Sequence, residues 1–146
     1  MYMTDTAKRV EPKFSCVAQT LRKAARLITR RYEDVLRPFN LTASQFSILQ
    51  AVTLQKFARF KMLGSLLGIE QTTLTRLLKI LEKRGLIEVG IDPEDARSRV
   101  ISATIDGQDL FQNARLAWQS VNNESLSRLK EEDWDNAQAV LTILSK

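Results

Sequence analysis

Residues 68–85 read GIEQTTLTRLLKILEKRG, and the folding of this stretch decides how the rest of the chain is read. Leu74, Leu77, Leu78 and Leu81 recur at the i, i+3, i+4, i+7 spacing of an amphipathic helix. At about 100° per residue, Thr72, Thr73, Arg76, Lys79 and Lys83 gather on the opposite face. None of those five is acidic, and hydroxyl, guanidinium and ammonium groups donate to phosphates and base edges. Gly85 stops the helix, because glycine takes the left-handed C′ conformation without steric cost. Threonines and lysines also furnish ordinary solvated helix faces, so the neighbouring segments decide between the two readings.

Just upstream, LTASQF (residues 41–46) is a marked helix start. Thr42 caps, Gln45 closes a capping box, and Leu41 staples against Phe46. That helix buries Phe46, Leu49 and Val52. Residues 57–61, FARFK, read as an extended link before a brief helix from Met62 to Leu67, with Gly68 as the turn into the central helix. Gly64 marks either a close crossing or a weak spot. Two short helices joined by a tight turn, the second with an outward polar face, make a helix-turn-helix.

Downstream of Gly85 the period changes from helical to alternating. Residues 86–89 (LIEV) and 99–104 (RVISAT) are β-branched runs around the Gly/Asp/Pro-containing segment 90–98, the pattern of a hairpin with a longer loop. A hairpin directly behind such a helix is a wing. Arg97 and Arg99 at its tip suit a narrow minor groove or adjacent phosphates. Asp95 is placed to hold the Arg97 guanidinium or simply to close the loop.

Further out lie three more helices. Phe14, Val17, Leu21, Ala25, Ile28, Tyr32 and Val35 step by threes and fours until Pro38 ends the run, a narrow stripe suited to packing against another helix. Asp106 reads as the cap of a long helix, with Ile105 stapled to Leu110, and the stripe continues through Ala114, Ala117 and Val121. Glu131, Glu132 and Asp133 suit a first helical turn, and Trp134, Ala137, Val140, Leu141 and Leu144 form the last apolar stripe.

A chain of 146 residues fits one domain with a proper core, and 44% hydrophobic residues argue against disorder. The net charge of +5 suits an anionic partner. The excess is concentrated in residues 1–60, with eleven Lys or Arg against four acids, whereas residues 61–100 hold seven against six. The polar face of the central helix must therefore be judged by local geometry. Histidine is absent and Cys16 is the single cysteine, which removes His-based triads, most zinc sites and any intrachain disulfide. Asp92, Glu94 and Asp95 sit in a loop-like run without a pocket signature. The expectation is a protein that is not an enzyme, with no cofactor and no metal site. Residues 1–12 read as a flexible leader without an apolar signal core, and there is no apolar run long enough to span a bilayer. A cytoplasmic location with a reduced thiol and no membrane partner follows as the expectation.

The order of elements, with residues 41–49 (LTASQFSIL), 68–88 and 92–107 (DPEDARSRVISATIDG), resembles the MarR family of winged helix-turn-helix transcription regulators. The resemblance covers nearly the whole chain from Phe14. It implies a mainly α (α+β) fold: a single domain, 13–146, with dimerisation helices in 13–37 and 106–146 and a winged helix-turn-helix lobe in 42–105. It further implies a homodimer on a pseudo-palindromic double-stranded DNA operator. The dimer layer would use Phe14, Val17, Leu21, Trp134, Val140, Leu141 and Leu144. By similarity, Gln71, Thr72, Thr73, Thr75 and Arg76 face the major groove, Arg97 enters the minor groove with Asp95 beside it, and Lys79, Lys83 and Arg99 contact phosphates. Glu70 and Lys61 depart from usual capping residues, Ala96 stands where a second wing arginine is common, and Ala103 replaces a usual leucine. The functional expectation is a repressor released by a small lipophilic or phenolic effector. Two alternatives are a cysteine-based redox-sensing regulator using Cys16, weighed against a core cysteine, and a winged-helix protein–protein adaptor.

Overall fold

The computed structural model describes residues 16–146; the proposed leader (1–12), the boundary at residue 13 and Phe14 lie outside the described residues. Helix α1 (Val17–Leu36) runs into a 3-10 turn, Arg37–Phe39, where Pro38 ends the α-helical hydrogen bonding. Helix α2 (Ala43–Leu54) follows, then strand β1 (Ala58–Arg59), α3 (Phe60–Leu67), α4 (Gln71–Lys83), β2 (Ile87–Asp92), β3 (Asp95–Ala103), α5 (Ile105–Leu126) and α6 (Glu131–Leu144). The three strands form one antiparallel sheet in the order β1-β3-β2. No helix among the described residues is long and apolar enough to cross a membrane.

The start of α2 uses both halves of its capping box. The Gln45 N–H donates to Thr42 Oγ1 at 3.2 Å, and the Thr42 N–H donates to Gln45 Oε1 at 3.1 Å. Gly68 and Gly85 take positive φ values of 63° and 69°, so glycine punctuates both ends of the α4 region. The core centres on Leu74, Leu77, Leu78 and Leu81 of α4 packed with Phe46, Leu49 and Val52 of α2, and it extends to Leu36 of α1 and to Phe111 and Ala114 of α5. Leu86, Ile87 and Ile101 from the hairpin close that core. Four aromatics join the lobe to the long helices. Phe46 lies 5.5 Å from both Phe111 and Trp118 between ring centroids, and Trp118 lies 5.8 Å from Tyr32. Tyr32 donates to Asn122 Oδ1 at 3.0 Å, and burial pushes its phenol above the ordinary tyrosine range. Arg31 of α1 pairs with Glu124 of α5 at 2.8 Å.

Several boundaries differ from the sequence expectation. The link 57–61 is shorter, because Ala58 and Arg59 pair with Ile101 and Val100 and α3 begins at Phe60. The long loop expected over 90–98 is mostly strand, and the hairpin turns at Pro93 and Glu94. The cap of α5 is Thr104 and not Asp106: Thr104 Oγ1 accepts from the Gly107 N–H at 3.0 Å. Ile105 is 77% exposed and so staples nothing. Cys16 is exposed at the N-cap of α1, which overturns the core-cysteine expectation for the single chain.

Candidate nucleic-acid interface

Burial of the leucine stripe fixes which face of α4 points outward. Gln71, Thr72, Arg76, Lys79 and Lys83 are exposed, while Thr73 and Thr75 are half-buried. Thr72, Thr75, Arg76, Lys79, Ile80 and Lys83 line one shallow groove of about 410 Å³. The Thr75 hydroxyl donates to the Gln71 carbonyl at 2.8 Å, which leaves its oxygen free to accept from a ligand but not to donate. Thr73 lines no part of this groove.

A second groove, of about 540 Å³, connects helix and wing. Gln71 at the start of α4, Phe60 and Lys61 at the start of α3, and Asp95, Arg97, Ser98 and Arg99 of β3 line it. Lys61, Arg97 and Arg99 carry three positive charges there against the single carboxylate of Asp95. Among the described residues, none of Arg76, Lys79, Lys83, Arg97 and Arg99 has a carboxylate within salt-bridge distance. Their donors are open to an outside anion.

The wing displays its arginines differently from the expectation. Arg97 and Arg99 lie on β3, behind a tip made by Pro93 and Glu94. The pairing passes from Ile91↔Arg99 to Asp92↔Asp95, so β2 advances one residue while β3 advances four. Ala96, Arg97 and Ser98 are thus left without partners on β2, in a bulge that turns side chains out of the regular ladder. Asp95 does not hold the Arg97 guanidinium; its Oδ1 accepts from the Arg97 backbone N–H at 3.0 Å. The carboxylate shapes the backbone and leaves the cation free.

Sequence reasoning missed Arg59. Its Nε donates to Asp92 Oδ2 at 2.5 Å, and its Nη2 pairs with Glu94. The Asp92 side chain is 2% exposed, so it is no part of a solvated loop. The Arg59 hydrogen bond, reinforced by the Glu94 N–H, holds the Asp92 carboxyl below the usual carboxylate range, and the bonds to the Asp92 and Glu94 carboxylates raise the guanidinium. The available signal was an arginine set in the apolar run FARF, with three acids some 35 residues later needing a counter-charge.

A helix with an outward hydroxyl and cation face, preceded by a tight turn and followed by an arginine-bearing hairpin, defines a winged helix-turn-helix DNA-binding protein. The MarR family model matches residues 41–98. The chain is 33% identical to the M. tuberculosis transcriptional regulator MosR, solved in complex with DNA, with a TM-score of 0.78 over 89% of this chain and 93% of that one. It is 34% identical over 91 residues to the organic hydroperoxide resistance transcriptional regulator of Bacillus subtilis (strain 168), across 62% of each protein. It is also 27% identical to the uncharacterized HTH-type transcriptional regulator YwoH of the same organism, over 77% of this chain and 82% of that one. The chain belongs to the MarR family and is a DNA-binding transcriptional regulator.

Proposed function

We propose that this chain acts as a homodimer on a pseudo-palindromic duplex operator, one winged helix-turn-helix to each half-site. The observation that carries the reading is the outward face of α4, whose exposed cations have no carboxylate partners among the described residues. In this reading Gln71, Thr72, Thr73, Thr75 and Arg76 meet base edges, and Arg97 enters the minor groove beside Asp95. Lys79, Lys83 and Arg99 hold phosphates and set the register. Half-sites about one helical turn, roughly 34 Å, apart would then be bound together.

The homodimer is supported by apolar surface that a lone chain leaves in water. Helix α6 buries none of its side chains, and Trp134, Val140, Leu141 and Leu144 are between 37% and 54% exposed. Val17 and Leu21 of α1 are exposed as well. A helix with such a stripe requires a partner surface, and a second copy offers the same stripes in complementary order. Repression relieved by a small lipophilic or phenolic effector completes the proposal.

The test is affinity for duplex fragments selected from genomic DNA, measured across salt concentrations. Lys79→Ala and Arg97→Ala should each reduce the salt slope by about 1, and Arg76→Ala should relax discrimination between sites. Unchanged affinity, slope and selectivity in all three would remove the proposed contacts.

A second regulatory reading is favoured by the exposure of Cys16 at the start of α1 together with the 34% identity to a regulator named for hydroperoxide resistance. Mild peroxide should then weaken DNA binding by the native chain and leave Cys16→Ser unaffected.

A further inference from the structure

Asp92 is a carboxylate buried at the turn of a hairpin whose neighbouring residues are exposed. A buried charge needs a partner and hydrogen bonds on its remaining lone pairs, and here both come from defined atoms. Arg59 Nε donates to Oδ2 at 2.5 Å, and the Glu94 N–H donates to Oδ1 at 3.0 Å. The same guanidinium reaches Glu94 through Nη2. Arg59 is on β1, the short edge strand that pairs with Val100 and Ile101 and leads directly into α3. One cation therefore ties the start of the helix-turn-helix to two of the three acids at the wing turn, Asp92 and Glu94.

That turn borders the bulge. Immediately after the Asp92↔Asp95 pair, Ala96, Arg97 and Ser98 leave the ladder, and Asp95 fixes the Arg97 N–H. An unpaired segment has few ladder bonds of its own, so its path depends on what anchors the turn beside it.

We propose that Arg59 is a positioning residue for DNA binding: by bridging Asp92 and Glu94 it locks the wing turn to the base of α3 and sets the bulge that presents Arg97. In this proposal Arg59 acts through Asp92 and Glu94, which pair with its Nε and Nη2, and not through a DNA contact of its own. The inference rests on the reading in which Arg97 contacts DNA. It differs from simple charge masking, in which Arg59 would only shield the acids of the turn from phosphates.

The sign of one substitution separates the two. Asp92→Asn removes a negative charge near the DNA, so masking predicts tighter binding, whereas positioning predicts weaker binding because the anchor is lost. For a selected genomic duplex, Arg97→Ala should cost the native chain about tenfold in affinity, the scale of one lost guanidinium contact. In an Arg59→Met background the same substitution should cost less than about twofold, and Arg59→Met alone should lower the salt slope by about 1. Independently of DNA, Arg59→Met should raise amide exchange at Glu94 and Arg97, whose N–H groups are bonded to Asp92 and Asp95, by at least about tenfold and leave α4 unchanged. Arg59→Lys, which keeps the charge but loses the fork, should fall between.

Tighter binding by Asp92→Asn, or a full Arg97 effect in the Arg59→Met background, would overturn the proposal. Unchanged exchange at both Glu94 and Arg97 would overturn it as well. Should Arg97→Ala be silent in the native chain, the minor-groove reading fails, and the exchange measurement then decides the latch by itself.

Discussion

Replacing Gly107 by alanine tests the joint between the wing and the long helix. An ideal Cβ on Gly107 would lie 1.9 Å from the Leu86 carbonyl oxygen and 2.9 Å from its carbon. An ordinary carbon–oxygen contact is about 3.3 Å, so something must move by more than an ångström. Both sides are tied down. The Leu86 N–H donates to the Leu81 carbonyl at 3.0 Å, and its oxygen accepts from the Thr104 N–H at 3.1 Å. The Thr104 hydroxyl donates to the Gly85 carbonyl at 2.6 Å and accepts from the Gly107 N–H. Alanine gains about 0.5–1 kcal/mol over glycine within a helix. Overpacking costs about 1–3 kcal/mol, and a clash between backbones belongs at the upper end. The clash wins, leaving a net loss of about 2 kcal/mol. For a domain of this size that is a fall in Tm of roughly 4–8 °C. Calorimetry at matched protein concentration measures it. Gly90→Ala is the control: its Cβ would meet only Val100 Cγ2 at 3.7 Å, and its Tm should stay within about 2 °C of native. A Gly107→Ala protein melting as high as Gly90→Ala would refute the argument.

Thr42→Ala removes one half of the α2 capping box and should cost about 1 kcal/mol in urea unfolding, with no change in m value. Leu141→Asp places a charge on the exposed stripe of α6; in the proposed homodimer, sedimentation should show dissociation to monomers, and any loss of helical circular dichroism should be confined to the share of α6, which has no buried residue in its own chain to hold it. Asp92 has its carboxyl lowered chiefly by Arg59, so the unfolded chain binds its proton more readily than the folded one. Its contribution is therefore present above the ordinary carboxylate range and is lost as pH falls below about 4. The stability gap between native and Asp92→Asn proteins should accordingly shrink between pH 6 and pH 3, and a constant gap would contradict the assignment.

The helices were legible because each has a local cause. The leucines of α4, the Thr42–Gln45 box and Gly85 each act through neighbours a few residues away, and in the folded chain they stand where their spacing put them. The polar side of α4 was legible for the same reason, since burying one face of a helix exposes the opposite one. The wing was harder to read. Residues 90–98 look like loop because Gly90, Asp92, Pro93 and Asp95 are turn formers, yet most of them are strand, held by cross-strand pairing and by an arginine 33 positions upstream. The cap of α5 went to Thr104 over Asp106 because the Thr104 hydroxyl also reaches Gly85, a contact made only once the hairpin has closed.

Periodicity, caps and glycines by themselves determined the order of elements, the leucine core of the lobe and the cationic side of α4, because these follow from neighbours along one helix. Only the tertiary structure decided that Arg59 belongs to the wing, that Arg97 stands in a bulge and that Gly107 must be bare. Each of those depends on two segments far apart in the chain meeting within hydrogen-bond or van der Waals distance, and a distance of that kind is fixed by packing rather than by spacing.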